Sequence, residues 1–239
     1  MIENREFASY RSSEAVDQGL RDYMLKIYNY MAGGLTATAL SAYLVITNPS
    51  IFRLFFNETG YTGFGYLALF APLILIFAFN WVLKSGTLSQ VRNMFWGYSL
   101  LMGVSLAPIF LAYTSASIAR VFLITAATFG ALSIYGYSTK KNLSGFGTFL
   151  YMGLIGLIIA SFVNIFMRSS GLYYAFSYIS VFIFAGLTAY DTQKLKSIYY
   201  SNNMSYDGQG KAAIMGALSL YLDFINMFIA LLRLLGDRR

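Results

Sequence analysis

Seven apolar segments recur along the chain, at about 27–47, 62–83, 93–113, 115–137, 146–167, 171–193 and 212–235. Each is near the roughly 20 residues that a helix needs to cross the hydrocarbon of a bilayer. A backbone in that medium must satisfy its own N–H and C=O groups, and continuous apolar runs of this length do so as helices. The expected fold is therefore an all-α integral membrane protein, a seven-transmembrane helix bundle over 27–236, preceded by a polar N-terminal cytoplasmic tail over 1–26. Thr114-Ser115-Ala116-Ser117 is the narrowest joint and demands a tight hairpin between the third and fourth spans. Composition agrees: of 239 residues, 57% are hydrophobic and 11% charged, whereas soluble domains carry about 25% charged residues. No length remains for a separate soluble domain.

Lys and Arg set the expected orientation, because short cytoplasmic loops carry the excess of positive charge. With the N-terminus inside, eleven basic residues fall on the cytoplasmic side, among them Lys26, Lys84, Arg92, Lys140, Lys141, Lys194 and Lys211, and six fall on the other. The tail lacks the apolar run of a cleavable signal peptide. A net charge of +7 does not imply nucleic acid, since the 17 basic residues are scattered between apolar runs. The chain has no Cys and no His, which excludes disulfides, thiolate chemistry, zinc thiolate sites, imidazole relays and Ser-His-Asp triads. Gly210-Lys211 is followed by Ala212, so the Lys-Ser/Thr of a phosphate-binding loop is missing. Neither a cofactor nor an enzymatic activity is expected.

Apart from Arg233 at the end of the last span, only Arg120, Asp191 and Asp223 carry charge within the spans. A charge at the bilayer centre costs about 2.5–3.5 kcal/mol on insertion scales and marks a bundle interior, a pathway or a relay. Arg120 is about one turn from a helix end and can reach the interface. Asp223 lies mid-span, and Gly216, Ser219, Asp223, Asn226 and Ala230 share one helical face at spacings of three and four. That small, polar stripe predicts a central last helix packed closely against its neighbours. Asp191 ends the sixth span, where an acid opposes the helix macrodipole. It reads either as an interfacial residue paired with Lys194 or as a partner of Asp223. Two close carboxylates in a low-dielectric site titrate as one coupled pair, which makes them a candidate proton-sensitive latch or cation site. In span five, Gly153, Gly156, Ala160 and Asn164 read as a packing stripe with one buried hydrogen bond. Pro72 and Pro108 are candidate kinks in spans two and three.

Tyr190-Asp191, the run Ser219-Leu220-Tyr221-Leu222-Asp223-Phe224-Ile225-Asn226, Asn164-Ile165-Phe166, and the spaced Gly97, Gly103 and Pro108 together resemble the Bax inhibitor motif family of membrane proteins. The resemblance covers roughly residues 20 to 236, and the final-span motif is its most specific part. It implies a bundle wrapped around a central last helix, in a bacterial inner membrane, with a pH-sensitive calcium leak. Asp191 and Asp223 match the two aspartates of the family's proton-sensing pair, which closes when they share a proton and opens when they separate. Relatives place an Arg at the cytoplasmic end of span two; here only Lys84 is nearby. The connection between Asp191 and Asp223, with Asn202, Asn203 and Asp207, is also longer than in compact relatives.

The leading expectation is thus a cation leak for Ca²⁺, gated by Asp191 and Asp223. Calcium takes about six to eight oxygen ligands, so two carboxylates need Ser219, Asn226, carbonyls or water to complete even a transient site. The alternative is a non-enzymatic regulator whose N-terminal tail holds a membrane partner such as a quality-control protease. An intramembrane aspartyl protease is disfavoured, since no Gly-x-Gly-Asp accompanies Asp223.

Overall fold

The computed structural model describes the backbone of residues 2–58, 60–201 and 206–239, and side chains within 17–58, 60–201 and 207–239. Its helices are α1 (Ile2–Thr47), α2 (Pro49–Phe55), α3 (Gly63–Ser85), α4 (Leu88–Ala112), α5 (Ser115–Ser138), α6 (Ser144–Met167), α7 (Ser170–Ser201) and α8 (Tyr206–Leu235). All but the short α2 are long and apolar enough to cross a membrane. Two short strands, β1 (Phe56–Asn57) and β2 (Gly60–Tyr61), form a small antiparallel hairpin between α2 and α3.

Polar caps set the helix starts. Thr62 and Thr114 accept N–H bonds from Gly65 and Ser117, and Thr87 and Gln90 form a reciprocal capping box at α4. Only Tyr113 and Thr114 join α4 to α5, the tight hairpin expected there. Pro72 and Pro108 both lie inside unbroken helices.

The helix that carries the first apolar run begins well before it. Helix α1 crosses the expected tail boundary at 26/27 without interruption, and Leu20, Tyr23 and Met24 are buried with Ile27 and Met31. Their spacing of three and four makes an apolar stripe that continues into the bundle. Charged Asp17, Arg21, Asp22 and Lys26 interrupt the composition on the other faces without interrupting that stripe. The side chains of residues 2–16, where the expected partner-binding tail falls, lie outside the described residues, as do Asn202 and Asn203.

Helix α8 is the centre of the bundle. In an apolar 18-residue stretch of it 67% of the residues are buried by protein, against 6% to 39% in the other spans. Its polar stripe is not the only covered face: Leu218, Leu220, Tyr221, Phe224, Ile225 and Met227 are buried too. Helix α6 is the outermost, with Phe162, Ile165 and Phe166 facing outward.

A polar knot ties α8 to α1 and α4. The Thr38 hydroxyl bonds the Tyr221 hydroxyl at 2.7 Å and reaches the Ser99 carbonyl at 2.8 Å. Ser41 donates to the Leu100 carbonyl at 2.8 Å. These bonds need close backbones, which Gly103 permits: a Cβ there would collide with the Thr38 carbonyl oxygen, whereas one at Gly97 meets nothing. At the far end the C-terminus is tied to the α4–α5 hairpin by Thr114 N–H to the Asp237 carbonyl and Arg239 N–H to the Ala112 carbonyl, both 3.0 Å. Arg120 pairs with Asp237 there at 3.0 Å, with both side chains more than half exposed.

The two glycines of α4 therefore respond oppositely to one added methyl. Gly103→Ala is expected to lose about 1–3 kcal/mol to overpacking, and Gly97→Ala to be neutral or to gain about 0.5–1 kcal/mol from helix propensity. Thermal unfolding of the purified variants in detergent measures both; equal destabilisation would refute the close α1–α4 approach.

Candidate functional site

The two aspartates are brought together at the contact of α7 and α8. Asp191 is 5% exposed and Asp223 4%, and Asp191 acts on Asp223 electrostatically across the interface. Helix geometry explains their meeting. The two helices run antiparallel from their connection, and because α7 continues to Ser201, about three turns beyond Asp191, Asp191 faces a residue well within α8 rather than one at its start. Gly216, two turns before Asp223, opens the space: a Cβ there would press on Leu195 of α7 and Ile27 of α1.

The environment of the pair is sparse. The Tyr151 hydroxyl of α6 donates to Asp191 Oδ1 at 3.2 Å. Asp223 Oδ2 is buried with no hydrogen-bond partner. Hydroxyls along α7 are spent within their own helix, Thr188 on the Phe184 carbonyl and Thr192 on the Thr188 carbonyl, each at 2.8 Å. Lys194 attracts Asp191, but its ammonium lies over the Tyr190 ring, 5.9 Å from the centroid. An exposed interfacial Asp191 held by Lys194 is thus not what forms, because α8 covers the carboxylate while Lys194 projects outward.

A cavity of about 480 Å³ leads from the lysine-rich end of the bundle to Asp191. Lys194, Lys211, Gly216 and Ser219 line it, and Asp223 does not. Asp191 therefore stands between the cavity and the more deeply placed Asp223. Ser219, one turn before Asp223, is in position beside this path. Asn226, one turn beyond, donates to the Leu222 carbonyl at 2.8 Å and is engaged within α8. Asn164 is at the opposite end of the bundle, where its Oδ1 accepts the Ser169 N–H at 3.1 Å and closes the α6–α7 turn around Arg168, whose φ is 50°. Lys84 is exposed and does not line the cavity. The base that reaches this corner is Lys211, whose ammonium donates to the Leu83 carbonyl at 3.5 Å.

Tyr151 and Lys211 are the site residues that sequence reasoning missed. A hydroxyl seven residues inside the apolar run of α6 was a usable signal, since a phenol with no water nearby needs a partner. Lys211 stood in plain view in Gly210-Lys211, but its neighbourhood depends on how α8 enters the bundle. Among the described residues no group of three or more Asp, Glu, His or Cys side chains converges, so the pair offers a divalent cation two carboxylates and no complete protein shell.

A family model described as Inhibitor of apoptosis-promoting Bax1 matches residues 20–239. The chain belongs to the Bax inhibitor-1 family. It is 43% identical over 222 residues to the inner membrane protein YbhL of Escherichia coli K12, covering 92% of this chain and 94% of YbhL. It is 48% identical over 227 residues to a protein of Rickettsia prowazekii, with 95% and 94% covered. A Deinococcus radiodurans protein is 35% identical over 238 residues and is matched along the whole of both chains. Family membership agrees with the seven-span integral membrane architecture.

A second negative charge buried beside Asp191 is unfavourable at pH 8, and an amide at 223 removes it, an effect of about 1–3 kcal/mol by analogy with other buried polar groups lacking a partner. Asp223→Asn is therefore expected to raise the thermal midpoint at pH 8 by about 2–6 °C. Asp191→Asn relieves the same repulsion, so the double variant should gain clearly less than the sum of the two. Additive shifts in this double-mutant cycle would refute the coupling.

Proposed function

We propose that this protein is a pH-sensitive leak for cations, Ca²⁺ foremost, gated by Asp191 and Asp223. The observation that carries the reading is the placement of two buried carboxylates on different helices, with Asp191 on the wall of a cavity and Asp223 behind it, in a bundle with no other buried acid among its described residues. Unit charges about 4 Å apart at an effective dielectric near 20 repel by about 4 kcal/mol. Energy of that size shifts a two-state equilibrium roughly a thousandfold.

The sign follows from the charge states. At low pH the pair keeps a proton, α7 and α8 stay together, and Asp191 blocks the cavity. As pH rises the proton leaves, both carboxylates become charged, and the helices separate to admit a cation. Ligation there is incomplete and weak, as conduction requires. The lysine-rich end is the cytoplasmic one in this reading, by the distribution of Lys and Arg, and the membrane is the bacterial inner membrane, as for YbhL.

Ca²⁺ flux into proteoliposomes across pH 5–8 tests the mechanism. Flux is expected to rise with pH in the natural protein, and Asp223→Asn is expected to flatten that response. Tyr151→Phe, which deletes the bond to Asp191, should displace the pH midpoint without abolishing flux. Asp223→Asn protein with unchanged flux and unchanged pH response would overturn the proposal.

A further inference from the structure

A second pocket at the lysine-rich end has a chemistry that the aspartate pair does not use. It measures about 340 Å³ and lies between the α5–α6 connection and the end of α7. Lys140, Lys141 and Lys194 line it, together with Ser144, Gln193 and Ser197, and no acidic side chain does. None of the three ammonium groups makes a hydrogen bond among the described residues. Lys196 shows the contrast: its ammonium is committed to the Tyr137 carbonyl at 3.0 Å and to the face of the Tyr137 ring.

The pocket is held in shape by Gln193. Its Nε2 donates to the Lys141 carbonyl and its Oε1 accepts the Leu143 N–H, both at 2.8 Å. The loop carrying two lysines is thereby clamped to the helix carrying the third. Helix α6 starts inside the pocket. Asn142 Oδ1 accepts its first N–H, from Ser144, at 2.8 Å, while the N-cap residue Leu143 adds no side-chain oxygen. The positive end of the helix dipole adds to the three ammonium charges. Immediately outward, Phe146 and Phe149 of α6 are 48% and 67% exposed on the outermost span of the bundle.

We propose that this pocket binds the phosphate headgroup of an anionic glycerophospholipid, with the acyl chains lying along Phe146 and Phe149 of α6. Lys140 and Lys141, which form no ion pair among the described residues, supply the charge that recognises the phosphate, with Lys194 beside them drawn also toward Asp191. The adjoining apolar face, within the bilayer, selects a lipid over a soluble phosphate. Basic pockets between helices at a membrane surface hold anionic headgroups in this way. Lys194 also lines the cavity that reaches Asp191, so a bound headgroup draws on the side chain that attracts Asp191. That coupling, unlike the binding itself, rests on the gating reading above.

Native mass spectrometry of the full-length protein in detergent, titrated with phosphatidylglycerol or phosphatidylethanolamine, tests the site. Phosphatidylglycerol should be retained preferentially, and the K140Q/K141Q/K194Q variant should lose about a hundredfold in its affinity, at roughly a factor of five per lysine. K140R/K141R/K194R should retain it, which separates charge from folding. Equal retention by the natural protein and the glutamine variant would overturn the proposal, as would equal retention of the two lipids. Displacement of phosphatidylglycerol by millimolar glycerol 3-phosphate would reassign the pocket to a soluble phosphate and overturn the lipid assignment. Flux is read separately in vesicles with and without phosphatidylglycerol. Lipid binding that persists while Asp223→Asn leaves flux unchanged would sink the gate and spare the pocket.

Discussion

Two carboxylates buried together in a low-dielectric bundle are the constraint around which the rest of this molecule is arranged. Removing one such charge from water costs several kcal/mol after relaxation, and here two of like sign share one interface with a single phenol hydroxyl among their hydrogen-bond donors. Such a site persists only if the surrounding helices are held independently. The Thr38–Tyr221 bond and the close passage at Gly103 do this for α1, α4 and α8. On the other side Gly136 lets α5 touch the Ala189 backbone of α7, and Gly147 lets α6 lie against the Tyr190 ring. The second of these brings Tyr151 within reach of Asp191.

The two ends of the bundle differ in how they are closed. At the C-terminal end, backbone bonds from Asp237 and Arg239 fasten the chain end to the α4–α5 hairpin, and Asn164 locks the α6–α7 turn. Cavities open at both ends, the larger of about 720 Å³ between α1, α4, α5 and α8 beside the C-terminus, and at the lysine-rich end Lys194 stands on the wall of two. Polar side chains rather than backbone pairing join the helices there, as in the Gln193 clamp and the contact of Lys211 with Leu83.

Much of this was legible in the chain because the bilayer penalises every exception. Seven apolar runs require seven helices, and a charge left inside one must have a reason, which singled out Asp191 and Asp223 against a background of only 11% charged residues. The start of the first span was less legible, since the stripe Leu20, Tyr23, Met24, Ile27 is diluted by charged neighbours on other faces. Asn164 has the composition of a site residue and serves a turn instead. Lys84 is close to the site in sequence position along α3 but points into the open, and Lys211, arriving from α8, takes that corner.

The sequence by itself determined that the chain is an integral membrane helix bundle, how many helices cross, and which acids have no cheap place to go, because hydrocarbon thickness and ion desolvation act on each segment independently. Which side chains surround those acids was decided only by the tertiary structure. The rotation of each helix about its axis and the depth at which it enters are set by contacts between segments far apart in the chain, such as Gly216 against Leu195 and Ile27. A rotation of 100° per residue separates a side chain that lines the pair from one that faces lipid. That phase placed Tyr151 on Asp191, left Asp223 Oδ2 without a partner, and gathered Lys140, Lys141 and Lys194 around one pocket.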